Sequence, residues 1–199
     1  MDFNKKLEEW MKLDYVLPED IPNIELYMDQ ITTFLEAQLQ NTKRYDDDKI
    51  FTKTMINNYS KNDLLPSSNK KKYSRNHMIL LIYIYYLKNF LSISDIKNIL
   101  APLTDYFYNG EDPNTFFNIY KELFEMEQSH NDSIKSSIME TFQKAETTFE
   151  SLEDGQDKSL LQQFSFITLL GYDIYLRKQI IEKMIDELYQ KKDSKKKKK

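Results

Sequence analysis

Between positions 53 and 61 the chain reads KTMINNYSK, and its polar residues recur at the spacing of one helix face. At about 100° per residue, Lys53, Thr54, Asn57, Asn58 and Lys61 fall within one arc of roughly 140°, while Met55, Ile56 and Tyr59 occupy the opposite side. Amides and ammonium groups held outward in this way suit a hydrogen-bond-rich anion. An asparagine amide can pair bidentately with adenine N6 and N7, and lysine can reach guanine acceptors or a phosphate. The plainer alternative is that both asparagines merely face water. Shortly downstream, SSNKKKYSR concentrates Lys70, Lys71, Lys72 and Arg75 around Tyr73. These cations would contact a phosphate backbone and add affinity without sequence information. Tyr73 has two readings, a phosphate donor or an aromatic packed beneath the segment.

Charge is segregated along the chain. Residues 1–49 hold 6 basic and 12 acidic residues, 50–100 hold 8 and 2, 101–190 hold 7 and 17, and 191–199 hold 7 and 1, within a net charge of −4. A basic block in an acidic protein directs phosphate affinity to one place and repels nucleic acid elsewhere.

Other chemistry is poorly represented. There is no cysteine, which excludes disulfides, thiolate metal sites and cysteine nucleophiles, and is compatible with a reducing, cytoplasmic setting. With only His77 and His130, a multi-histidine metal site is not expected, and His77, beside an apolar stretch, reads as structural. Neither GxGxxG nor GxxxxGK[ST] occurs. The carboxylates of DDD at 46–48 and EDGQD at 153–157 read as solvated charge in loops. No enzyme activity, cofactor or metal is therefore expected. The start lacks a secretory pattern, and the longest uncharged run, Ser159 to Tyr172, is too short to span a bilayer, so neither export nor a membrane partner is expected.

Three glycines and five prolines in 199 residues favour long helices over tight β turns. The spacing of Phe3, Leu7, Trp10 and Met11 predicts an accessory helix from Phe3 to Leu13, before the LPEDIP breaker. Asn23 is expected to cap a helix to about Gln40 with Leu26, Tyr27, Ile31, Phe34 and Leu35 inward. Thr52 is the N-cap candidate for the polar-faced helix, which is too short to be stable without tertiary packing. A dense apolar helix follows from Arg75 to Asn89, and Ser92 with Asp95 opens another. A domain boundary is expected near Pro102. Beyond it, Asp112-Pro113 should start TFFNIYKELFEME, with further helices from Ser133 to Phe149 and Lys158 to about Gln190. The run Tyr106, Phe107, Tyr108, Phe116, Phe117 and Tyr120 suits core packing or an effector pocket. The tail 191–199 has nothing apolar to bury and should be disordered.

The order of these segments resembles the DNA-binding domain of MerR-type winged helix-turn-helix regulators. The resemblance rests on Lys61-Asn62-Asp63-Leu64-Leu65-Pro66, Lys72-Tyr73-Ser74, Ile84 with Leu87, and Leu91-Ser92-Ile93-Ser94-Asp95-Ile96, across roughly residues 24–100. With LYMDQ at 26–30 and MINNY at 55–59, the same stretch is also similar to a bacterial family of unknown function, the one numbered 1836. Three features depart from the MerR pattern: Asn57 stands where an arginine is usual, Asp63 where a glycine is usual, and one residue is missing before Leu91.

The resemblance implies a mainly α protein: a winged helix-turn-helix domain over 1–102 with at most a small β-hairpin wing, and a helical effector or dimerisation bundle over 103–190. It implies a sequence-specific transcription regulator that binds double-stranded DNA as a homodimer and takes an effector in its C-terminal half. Lys53, Thr54, Asn57, Asn58 and Lys61 would enter the major groove. Lys70, Lys71, Lys72, Tyr73 and Arg75 would hold the backbone. The alternative is an adaptor that reuses the fold for protein contacts.

Overall fold

The computed structural model describes residues 3–12, 15–108, 112 and 114–196, with side chains as far as Leu188. Among these described residues the chain is mainly helical, with one small two-stranded antiparallel sheet. Its elements are α1 (Phe3–Trp10), β1 (Leu26–Tyr27), α2 (Met28–Leu39), α3 (Lys53–Lys61), β2 (Lys72–Tyr73), α4 (Arg75–Leu87), α5 (Ile93–Leu103), α6 (Thr115–Glu146) and α7 (Gln156–Lys196). Two compact units result, Trp10–Met126 and a second made of Met1–Glu9 with Glu127–Lys199.

In the first unit, α4 is the central element. Residues 78–82 and Ile84 are fully buried, so nearly its whole circumference is covered, as its apolar run predicts. Also buried in this unit are Ile31, Leu35 and Leu39 of α2, Ile56 of α3, and Ile96 and Leu100 of α5, the last helix packing directly on α4. Phe116 and Tyr120, from the first turns of α6, are buried too, and the Tyr120 hydroxyl donates to the Val16 carbonyl at 2.6 Å. That bond joins the two ends of the unit. The division consequently falls inside α6 and not near residue 102.

Several expected boundaries move for identifiable reasons. The α2 cap is Tyr27, whose N–H donates to the Gln30 side chain at 2.8 Å, and not Asn23. Leu26 and Tyr27 are drawn into a strand because they pair with Tyr73 and Lys72, a tertiary contact invisible to local periodicity. Pro102 lies within α5 and does not end it; the Thr104 hydroxyl donates to the carbonyls of Leu100 and Ala101, and the backbone widens into a π turn over Thr104–Tyr108. The region expected to hold two helices from 115 to 149 is one, α6, since no glycine or proline interrupts it. Phe149 lies beyond its end with φ 58°. Asp112 accepts from Asn114 N–H at 2.9 Å in a turn ahead of the helix and is not its cap, since α6 begins at Thr115 and its first helical bond runs from Asn118 N–H to the Asn114 carbonyl; Pro113 lies outside the described residues.

The second unit packs α1 with α6 and α7. Phe3 stacks on Phe142 at 3.9 Å, and both meet Phe166 edge-on at 5.4 Å. Leu7 is buried, and Glu8 pairs with Lys135 at 2.7 Å. The accessory helix thus belongs to this unit and not to the N-terminal domain; it stops at Trp10, and Leu13 lies outside the described residues. α7 runs 41 residues to Lys196, so the backbone over 191–196 is helical where disorder is expected from composition. Lysines are good helix formers and complement the dipole at a C-terminus. Residues 197–199 lie outside the described residues.

Candidate nucleic-acid interface

α3 forms where its caps dictate. Thr52 Oγ1 accepts from Met55 N–H at 3.1 Å, satisfying one of the orphan donors of the first turn. At the other end Asp63 takes φ 53°, the left-handed conformation that glycine usually supplies, and Leu64 N–H bonds the Tyr59 carbonyl at 2.9 Å. Lys97 of α5 secures this end, donating to Asn62 O at 2.8 Å and standing 3.4 Å from the Asp63 carboxylate.

Nine residues cannot hold a helix alone, so burial must. Ile56 is fully buried, and Tyr59 is buried with its ring edge-on to Phe51 at 6.3 Å. The opposite face carries Lys53, Thr54, Asn57, Asn58 and Lys61, all exposed. The Lys53 ammonium lies 3.6 Å from the Asp29 carboxylate, and both side chains are mostly in water. Such a pair contributes about 0.2–1 kcal/mol and leaves the ammonium free to exchange partners.

Residues 69–72 make a tight turn. Asn69 and Lys72 exchange both backbone hydrogen bonds, at 3.0 and 2.8 Å, while Lys70 and Lys71 take φ 49° and 64°. Two consecutive positive φ values are the signature of a type I′ turn, which normally selects asparagine and glycine. Here both ammonium groups are exposed at its tip. Beyond it, β2 pairs with β1 and not with its own hairpin partner, which reduces the local hairpin to the single Asn69–Lys72 bridge. α2 packs against both α3 and β2, so helix and turn share one support.

Three of the expected contact residues behave differently. Lys72 is half-buried, with its ammonium 5.6 Å from the Tyr27 ring centre. Tyr73 is buried against His77, which selects the packing reading over the phosphate-donor reading. Arg75 turns inward: its guanidinium carbon is 3.1 Å from the Phe117 ring centre, and its Nε is buried without a hydrogen-bond partner. Sequence reading missed Lys97, which sits 35 residues from Asn62 with no short-range signal, and Asp29 as the partner of Lys53.

His77 joins the turn to α4. Its Nδ1 accepts from Ser74 N–H at 3.0 Å, closing a capping box, which leaves the proton on Nε2 to be donated to the Pro66 carbonyl at 3.2 Å. The Tyr108 hydroxyl lies 2.6 Å from Nδ1, and burial pushes that phenol up to about 12. Burial also holds the His77 imidazolium below its ordinary range, opposed by the carbonyls of Pro66 and Ser67 and by Glu25.

The aromatic run divides among several tasks. Phe116 and Tyr120 are core, Tyr108 serves His77, Phe117 serves Arg75, and Tyr106 and Phe107 face outward. Among the described residues no group of three or more metal-ligating side chains is found, and no helix is long and apolar enough to cross a membrane.

A family model described as Domain of unknown function (DUF1836) matches residues 16–123, nearly the whole of the first compact unit. No curated protein and no solved structure matches the chain.

Proposed function

The chain belongs to the DUF1836 family, and we propose from its own geometry that it is a sequence-specific DNA-binding transcription regulator of the winged helix-turn-helix type. One observation carries this reading. The amide and ammonium side chains of α3 all point away from the face that Ile56 and Tyr59 bury, while Lys70 and Lys71 tip a rigid turn on the same support. In this reading α3 enters the major groove, where Asn57 and Asn58 read adenine edges and Lys53 and Lys61 reach guanine or phosphate. Lys70 and Lys71 neutralise phosphates beside it. Tyr73 packs on His77 and Arg75 rests on Phe117, so both leave the contact set.

A homodimer in a cytoplasmic setting, with an effector received by the C-terminal half, completes the proposal. The second reading, an adaptor that uses this surface for protein contacts, is favoured by Asp29 and Asp63, which interrupt the positive face. Selection from a random duplex library separates the two. Enrichment of one motif supports the regulator; recovery of an unenriched pool supports the adaptor.

A further inference from the structure

A second group of cations lies away from the exposed face of α3. Residues 42–50 and the C-terminal turn of α4 enclose a cleft of about 490 Å³, a size suited to a small ligand. Lys43, Arg44, Lys49 and Lys88 line it, with Asp48 as the one carboxylate in its wall. Lys43 is already paired with Glu36, and Asp48 accepts from Tyr45 N–H at 3.0 Å, which ties it into the local turn. Among the described residues Arg44, Lys49 and Lys88 have no carboxylate partner.

Lys88 is the informative one. Its ammonium donates to the Ile50 carbonyl at 2.9 Å and lies 5.0 and 4.7 Å from the ring centres of Phe51 and Tyr85. An ammonium has three N–H donors, so two remain for a ligand. A half-buried charge without a counter-ion is costly, and burial lowers this ammonium's pKa for that reason. The rings hold the group in place; they do not neutralise it. Tyr86 adds an aromatic wall at 5.6 Å from Tyr85, and Asn89 adds an amide.

We propose that this cleft binds a phosphate ester of mononucleotide size. Lys88 takes the phosphate at the floor, the guanidinium of Arg44 and the ammonium of Lys49 close over it, and the planar group lies against Tyr86. A guanidinium beside two ammonium groups matches the charge and oxygen geometry of a phosphate better than that of a carboxylate. The proposal does not depend on the role of α3.

Isothermal titration of the full chain with adenosine 5′-monophosphate, inorganic phosphate and adenosine tests it. The expected order is nucleotide, then phosphate, with no heat from adenosine. Arg44 and Lys49 are exposed, so the Arg44→Ala/Lys49→Ala double variant keeps the fold, and it should weaken nucleotide binding by about tenfold or more at unchanged Tm. Lys88→Met should abolish it. Displacement of the nucleotide by duplex DNA assigns the phosphate to a nucleic acid, and its absence to a free ligand; both uphold the cleft. Wild-type protein that binds neither nucleotide nor phosphate overturns the proposal, as does an affinity unchanged in the double variant.

Discussion

The guanidinium of Arg75 rests on the ring of Phe117, 3.1 Å from its centre, so the last cation of the basic run is a structural residue. An Arg75→Ala variant should lose about 0.5–2 kcal/mol of stability through the lost cation–π contact. Its affinity for duplex DNA should stay close to that of the wild type. Urea unfolding paired with fluorescence anisotropy checks both halves, and a large affinity loss without a stability loss would return Arg75 to the contact set.

Asn57 and Lys71 separate base reading from backbone holding. Asn57→Ala should relax preference at one base pair by about 1–3 kcal/mol, whereas Lys71→Ala should weaken every sequence alike. Competition binding against a panel of single-base variants of the selected site distinguishes the two patterns.

The Asp29 carboxylate stands 3.6 Å from the Lys53 ammonium on the proposed binding face. Asp29→Asn removes a repulsive charge and frees the lysine, so duplex affinity should rise at low salt. The gain should shrink as salt is raised, because exposed charges are screened. Anisotropy titrations at two ionic strengths read it.

Lys70 and Lys71 occupy left-handed conformations that cost a non-glycine residue about 1–2 kcal/mol each. Lys70→Asn/Lys71→Gly fits the turn better and should raise Tm while lowering duplex affinity. A variant that gains stability and keeps its affinity would show that the tip does not touch DNA.

His77 is held neutral by burial, so its folded pKa lies below the ordinary imidazole value of about 6.5. The unfolded chain therefore binds the extra proton first as pH falls. The contribution is fully present above about 6.5 and is lost as pH drops from there through the lowered folded value. Gln can occupy the same capping-box position, so His77→Gln should flatten the difference in unfolding free energy between about pH 7.5 and 5.5 relative to wild type. Equal slopes in the two proteins would remove His77 from the acid response.

What the sequence made legible follows from which signals are local. The α3 face, its Thr52 cap and the Ser92 cap with Asp95 are decided within four residues, and the structure reproduces them. The burial of α4 follows from its unbroken apolar run. The β1 strand was not legible, because Leu26 pairs with Tyr73, far along the chain, and no local period encodes that. Nor was the single α6: Ser129, Asn131, Asp132 and Ser133 resemble a break, yet Ser136 Oγ donates to the Asp132 carbonyl at 3.0 Å and the helix runs on. For the candidate site, residue identities were legible and directions only partly so. Tyr73 and Arg75 look like contacts by composition, and only their neighbours His77 and Phe117 turn them inward.

The salt dependence of duplex binding decides whether α3 and the lysine turn form a DNA-binding face. Across about 50 to 200 mM salt, log affinity should fall steeply and linearly with log salt, by close to 0.9 for each phosphate neutralised. Lys70→Ala/Lys71→Ala should reduce that slope by about 2. A flat response, or a slope unchanged in the double variant, would contradict a DNA-binding face built from α3 and the lysine turn.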